Sequence, residues 1–286
     1  MKTKAKSGAQ RRTGGDVGLE WTQITDRQVL VAVEDQAWLH ELDPDQDPFA
    51  APMRGPGSIA TTRQLLSGAW SAGLMAAEPA AQRAPLTLAR YVWDVVGYYH
   101  LTHASPGLMM EAAARFQEAG RRDLAAFSRR IARLESGDEE MALADLRALG
   151  YRAESMVASI PAPPQAAALL EYFTRCARKC DPYEALGYVC AVERSALAVT
   201  EKELAAIEAL LPPGVEATSC RRHHSGVGGD VAHVNHIVKS IARFPAEDRA
   251  RIARETYKSI GIIARLPAGE APPDAELEKS FAKFRA

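Results

Sequence analysis

Apolar side chains return at the period of an α-helix along most of this chain, and that periodicity constrains the fold more than any other feature. Between residues 121 and 149, Leu124, Phe127, Ile131, Leu134, Met141, Leu143, Leu146 and Leu149 fall roughly on one helical face. This is the pattern of a helix with one side in a core, and Gly150 follows where a C-capping residue belongs. The stretch 86–117 is also helical and rich in aromatics. Pro106 inside it removes an amide donor and predicts a kink or a break. Further helices are predicted over 24–41 (capped by Thr25 or Asp26), 61–77, 164–179, 182–210 and 246–264, with a histidine-rich helix running to about Phe244. Pro/Gly-rich stretches separate them, notably 43–58 and Pro212-Pro213-Gly214. Strand alternation is nearly absent and no internal repeat is present. The expected fold is an all-α bundle of about seven to nine helices. It would form one domain over 19–266, between a disordered basic tail (1–18) and a polar, Pro-rich C-terminal tail (267–286).

Composition narrows the partners. A net charge of −1 gives no global field toward nucleic acid or an anionic membrane surface. No apolar run approaches the roughly 18 residues of a bilayer span, and the basic N-terminus lacks the apolar segment of a secretory signal. Cys176, Cys180, Cys190 and Cys220 follow no zinc-ribbon spacing and read as free thiols of a reduced, cytoplasmic protein. Phosphate-binding glycine loops, dinucleotide fingerprints and nucleophile elbows are missing, which argues against nucleotide-dependent and serine-hydrolase chemistry. A small-molecule substrate and a homodimeric assembly are the expected partners.

Four of the seven histidines, His223, His224, His233 and His236, lie within fourteen residues and beside Asp230. Imidazole is the commonest metal ligand, and carboxylate is its usual companion at non-heme iron. Asp230 and His233 are i, i+3 and project to one helical face, next to an apolar stripe of Val227, Val231, Val234, Val238 and Ile241. Two readings follow: a solvated polar face, or an Asp/His pair turned toward a core.

Three segments in order resemble a known family. A-R-L-E-S-G-D-E-E-M-A-L-A-D-L-R-A-L-G, then D-P-Y-E-A-L-G-Y-V-C-A-V-E-R-S-A-L, then H-H-S-G-V-G-G-D-V-A-H-V-N-H are similar to the three ligand helices of the heme-oxygenase-like diiron oxidases and oxygenases. The resemblance covers about Leu86 to Leu266. It implies the helical fold shared with TenA-type thiaminases and pyrroloquinoline-quinone synthase, and a carboxylate/histidine iron site between helices. On matching positions it carries Glu193, Asp230 and His233 over as metal ligands. The remaining positions depart from the family. Its histidine four before the Asp is Gly226 here, so His223 or His224 would have to reach inward across a glycine-rich stretch. Its first-helix histidine is Asp138, and its glutamate seven residues earlier is Ile131, which cannot ligate. Glu135, near the face of Asp138, is the substitute, although E-S-G-D-E-E also reads as a solvated charged turn.

The implied activity is a non-heme iron oxidase or oxygenase. It would hold one or two iron ions, use O₂ as cosubstrate and act on a small amine, amino-acid or fatty-acid-like substrate in a biosynthetic pathway. The alternative is a bundle with a lost or remodelled site, acting without metal or as the partner of another biosynthetic enzyme. His100 and His103, with Tyr99, read either as substrate contacts in the central cavity that this fold class implies or as ordinary aromatic packing.

Overall fold

The computed structural model describes residues 18–43, 47–77, 85–226, 231–265 and 272–286. The expected basic tail falls almost wholly outside these residues. The architecture is helical: α1 (Ile59–Ala76), α2 (Leu88–Glu118), α3 (Arg122–Leu134), α4 (Glu139–Ala148), α5 (Ala153–Ser159), α6 (Pro164–Ala177), α7 (Tyr183–Ala196), α8 (Glu201–Glu208), α9 (Ser219–His223), α10 (Val231–Ile241), α11 (Ala246–Arg265) and α12 (Asp274–Ala282). Among the described residues no helix is long and apolar enough to cross a membrane.

Two apolar cores share one long helix. The C-terminal half of α2 (Leu108, Met109, Ala112, Phe116) packs with α3, α6, α7, α10 and α11 in the larger core. Its N-terminal half (Tyr91, Val92, Val95, Val96) packs with α4, α5 and α12 in the second. Helices α3 and α10 contribute to the larger core and α4 and α9 to the second, so a seam between the two cores lies among these helices. That seam is where polar groups can be enclosed without displacing apolar packing.

Several expectations are corrected. The predicted helix over 24–41 is a three-stranded antiparallel sheet, β1 (Glu20–Gln23), β2 (Gln28–Ala32) and β3 (Ala37–Glu41), with Trp21 opposite Val31 and Val31 opposite Trp38. A short buried run such as Val29–Ala32 does not distinguish strand from helix by periodicity. Its β-branched residues and the tight turn closed by Val33 N–H to the Gln36 carbonyl favour strand. The sheet is clamped to α11 by buried Arg249, which donates to Glu20 and to the carbonyls of Phe244 and Gly55.

The single helix expected over 121–149 is two, because Gly137 takes φ +100°, a conformation open to glycine and costly for other residues. The helix expected over 182–210 also divides. Thr200 starts α8 with a reciprocal capping box to Glu203. Helix α2, by contrast, continues through Pro106 without a break. The C-terminal tail is not merely polar, since α12 buries Leu277 and Phe281 in the second core.

Candidate metal centre

Four pieces of the chain bring ligand-type side chains to the seam. The α3–α4 turn supplies Glu135 and Asp138, and the end of α7 supplies Glu193. Helix α9 and its C-cap supply His223 and His224, and α10 supplies His233. Glu193 is placed by a close helix crossing. At Gly187, six residues earlier in α7, a Cβ would come within 2.4 Å of the Glu255 carbonyl carbon in α11, so only glycine admits this approach.

Helix α9 has five residues, too few to stand alone, and is fastened from outside. Buried Asp145 of α4 accepts from the backbone N–H groups of Ser219 (2.9 Å) and Cys220 (3.0 Å). The Tyr91 hydroxyl donates to the Ala217 carbonyl at 2.5 Å, and Arg222 pairs with Glu208 at 2.5 Å. Helix α10 is held by Ile237, Val238 and Ile241 in the larger core.

The result is two trios. Glu135, Glu193 and His233 offer ligand atoms that all lie within 4.8 Å of one another, and so do Asp138, His223 and His224. His233 Nε2 is 3.6 Å from Glu135 Oε1, and its Nδ1 is 3.8 Å from Glu193 Oε2. His224 Nε2 is 3.5 Å from Asp138 Oδ2. Two ligand atoms each about 2.1 Å from one ion are at most about 4.2 Å apart, so each pair taken singly has the spacing of atoms that share an ion, with His233 offering one of its two nitrogens to any one ion. Charged groups are seldom enclosed unless paired or bound to metal, and the His233 and Glu193 side chains are 8% and 10% exposed. His223 is exposed and lies with its ring centroid 5.0 Å from that of His224. Asp230 lies outside the described residues.

Tyr98, rather than its neighbour Tyr99, turns toward this centre. Its ring lies 5.7 Å from that of His224. Burial, reinforced by the nearby Cys220, Asp138 and Glu135, pushes its hydroxyl well above the ordinary tyrosine range. Among the described residues its buried oxygen has no hydrogen-bond partner. Helical phase marks it: Tyr98 follows Val95 by three and precedes Thr102 by four, both buried. Tyr99 instead stacks on exposed His103 with centroids 5.3 Å apart, and His103 Nδ1 approaches Glu139 at 3.7 Å. His100 Nε2 lies 2.9 Å from the Ile160 carbonyl oxygen. Ile131 is fully buried in the larger core.

No protein-family model and no curated protein matches the chain. Among solved structures, it is similar to a domain of unknown function with a heme oxygenase-like fold from Shewanella denitrificans OS217. That match has a TM-score of 0.51 at 20% identity, over 78% of this chain and 90% of the other. A TenA homolog from Pseudomonas syringae pv. tomato str. DC3000 aligns at a TM-score of 0.38 and 10% identity, over 76% of this chain and 98% of the other.

Proposed function

We propose that this chain, which has a heme-oxygenase-like fold, is a non-heme iron-dependent oxidase or oxygenase acting on a small substrate with O₂ as cosubstrate. The observation that carries the reading is the convergence of two ligand trios from four separate parts of the chain in the seam between its cores. Their composition supports iron. Asp138 with His223 and His224 is the two-histidine, one-carboxylate set of non-heme iron sites, and Glu135, Glu193 and His233 form a carboxylate-rich counterpart. Bound iron would supply the activation of dioxygen.

The chain's own residues have distinct tasks. Glu135, Glu193 and His233 would hold one ion, and Asp138, His223 and His224 another. The Tyr98 hydroxyl, kept neutral by burial, would offer a hydrogen-bond donor beside His224. A neighbouring cleft, with Leu66 and Val238 in its wall, would receive substrate beside the Glu193 carboxylate.

Anaerobic loading with Fe(II), desalting and metal analysis test the reading. Iron is retained by the wild type and consumes O₂ on exposure to air. His233→Ala retains less iron and loses the O₂ consumption while keeping its helical circular dichroism. Buried Ile131, where the resembled family has a ligand, favours a second reading: a remodelled bundle working without metal. That reading predicts no retained iron, and a His233→Ala effect limited to ~1 kcal/mol of stability.

A further inference from the structure

A cleft of 520 Å³ opens beside Glu193, between α1, α7 and α10. The volume suits a small molecule. Its deeper wall is apolar, with Leu66, Cys190 and Val238 all buried. Its mouth carries two guanidiniums, from exposed Arg63 and half-buried Arg194.

Most enclosed or ordered arginines of this chain meet carboxylates: Arg249 meets Glu20, Arg121 meets Asp248, and Arg90 meets Asp274. Among the described residues neither Arg63 nor Arg194 does. Arg63 donates to the neutral Asn235 side chain at 3.0 Å. Arg194 lies over the Trp70 ring, 5.8 Å from its centroid, and Trp70 is itself fixed by its indole N–H donating to Ser195 Oγ at 3.0 Å. The Arg194 Nε is buried with no acceptor among the described residues. A buried donor left without an acceptor is destabilising, and guanidinium forks match carboxylate and phosphate oxygens.

We propose that this cleft binds a small anion with an apolar body. The head group lies on the Arg63 and Arg194 guanidiniums at the mouth. The body reaches inward along Leu66, Cys190 and Val238, so that the end remote from the charge lies beside Glu193. The assignment deepens the oxidase reading by naming the substrate class, and it excludes a simple amine, which two guanidiniums would repel. It rests on that reading only for what happens to the inner end, since binding needs no metal.

The test uses the full chain without added metal. It is titrated by calorimetry with octanoate, octyl phosphate, octylamine and octanol, each below its aggregation concentration. One octanoate or octyl phosphate per chain binds saturably, and the tighter of the two identifies the head group. Octylamine binds at least tenfold more weakly. Arg63→Gln and Arg194→Gln each weaken anion binding about tenfold, the loss of one charge-assisted hydrogen bond, and leave octanol binding unchanged. Arg63 is exposed, so its variant folds and carries the test even if Arg194→Gln does not. Saturable binding of neither anion, equal binding of octylamine, or unchanged anion binding by Arg63→Gln would overturn the assignment. A chain that binds octanoate yet retains no iron refutes the oxidase reading and leaves the cleft standing. A chain that retains iron but binds no anion does the reverse.

Discussion

Removing the Asp145 carboxylate should unfasten the histidine-bearing helix α9 and report on how the centre is built. The side chain is buried and accepts two backbone N–H groups, from Ser219 and Cys220 at 2.9 and 3.0 Å. Hydrogen bonds to a charged acceptor contribute about 1.5–3 kcal/mol each, so Asp145→Ala forfeits a gross 3–6 kcal/mol. Part returns as the helix start shifts or admits water, much as lost caps elsewhere cost about 1–2 kcal/mol. The net expectation is ~3 kcal/mol. Asp145→Asn keeps one acceptor oxygen but turns an amide N–H₂ toward a backbone donor, for a loss of ~2 kcal/mol. Equilibrium unfolding in urea, followed by circular dichroism, measures both. The same variants should weaken metal binding at the Asp138, His223 and His224 trio more than at the Glu135, Glu193 and His233 trio, whose elements Asp145 does not touch. An Asp145→Ala stability within about 0.5 kcal/mol of wild type, the scale of an ordinary surface change, would refute the reasoning.

Other outcomes follow from the same structure. Arg249→Met leaves Glu20 buried without its partner and should cost about 3–5 kcal/mol, most of it recovered in the double variant with Glu20→Gln, by urea unfolding. Burial pushes the Cys176 and Cys190 thiols up to about 12 and Cys220 well above its ordinary value, whereas Cys180 is exposed. A disulfide-exchange reagent at pH 8 should therefore titrate one thiol per native chain and four after denaturation. Burial also raises the hydroxyls of Tyr91, Tyr98, Tyr172, Tyr183 and Tyr188 above the unfolded value. Their contribution to stability is fully present below about pH 10 and is lost as pH rises beyond it. Phenolate absorbance from these five should appear together with alkaline unfolding rather than before it.

The helical architecture was legible because long amphipathic periods leave little choice: α1, α6 and α11 lie close to where apolar spacing and proline starts place them. The sheet was not, since a run such as Val29–Ala32 buried at every position carries no alternation to read. Breaks at Gly137 and before Thr200 were also missed. Apolar residues resume in nearly the same phase on the far side, so the period hides a turn that backbone conformation alone reveals. At the centre, carboxylate and imidazole spacing together with resemblance nominated Glu135, Asp138, Glu193, His223, His224 and His233, and the fold places each in one of two trios. The pairing itself was not readable, because Glu135 meets His233 across 98 residues and Asp138 meets His224 across 86. Tyr98 was overlooked in favour of Tyr99, although helical phase separates them. Asp145, Arg63 and Arg194 carry no local signal, as their roles exist only through partners on other helices.

The proposed centre makes its most direct commitment in how much iron each trio holds. Full-length protein loaded anaerobically with Fe(II), desalted and analysed for iron against protein concentration should carry about two ions per chain. His233→Ala and His224→Ala, each removing an imidazole from a different trio, should each reduce this to about one, with circular dichroism unchanged. Iron that is absent from the wild type, or that stays at the same level in both variants, would contradict the account.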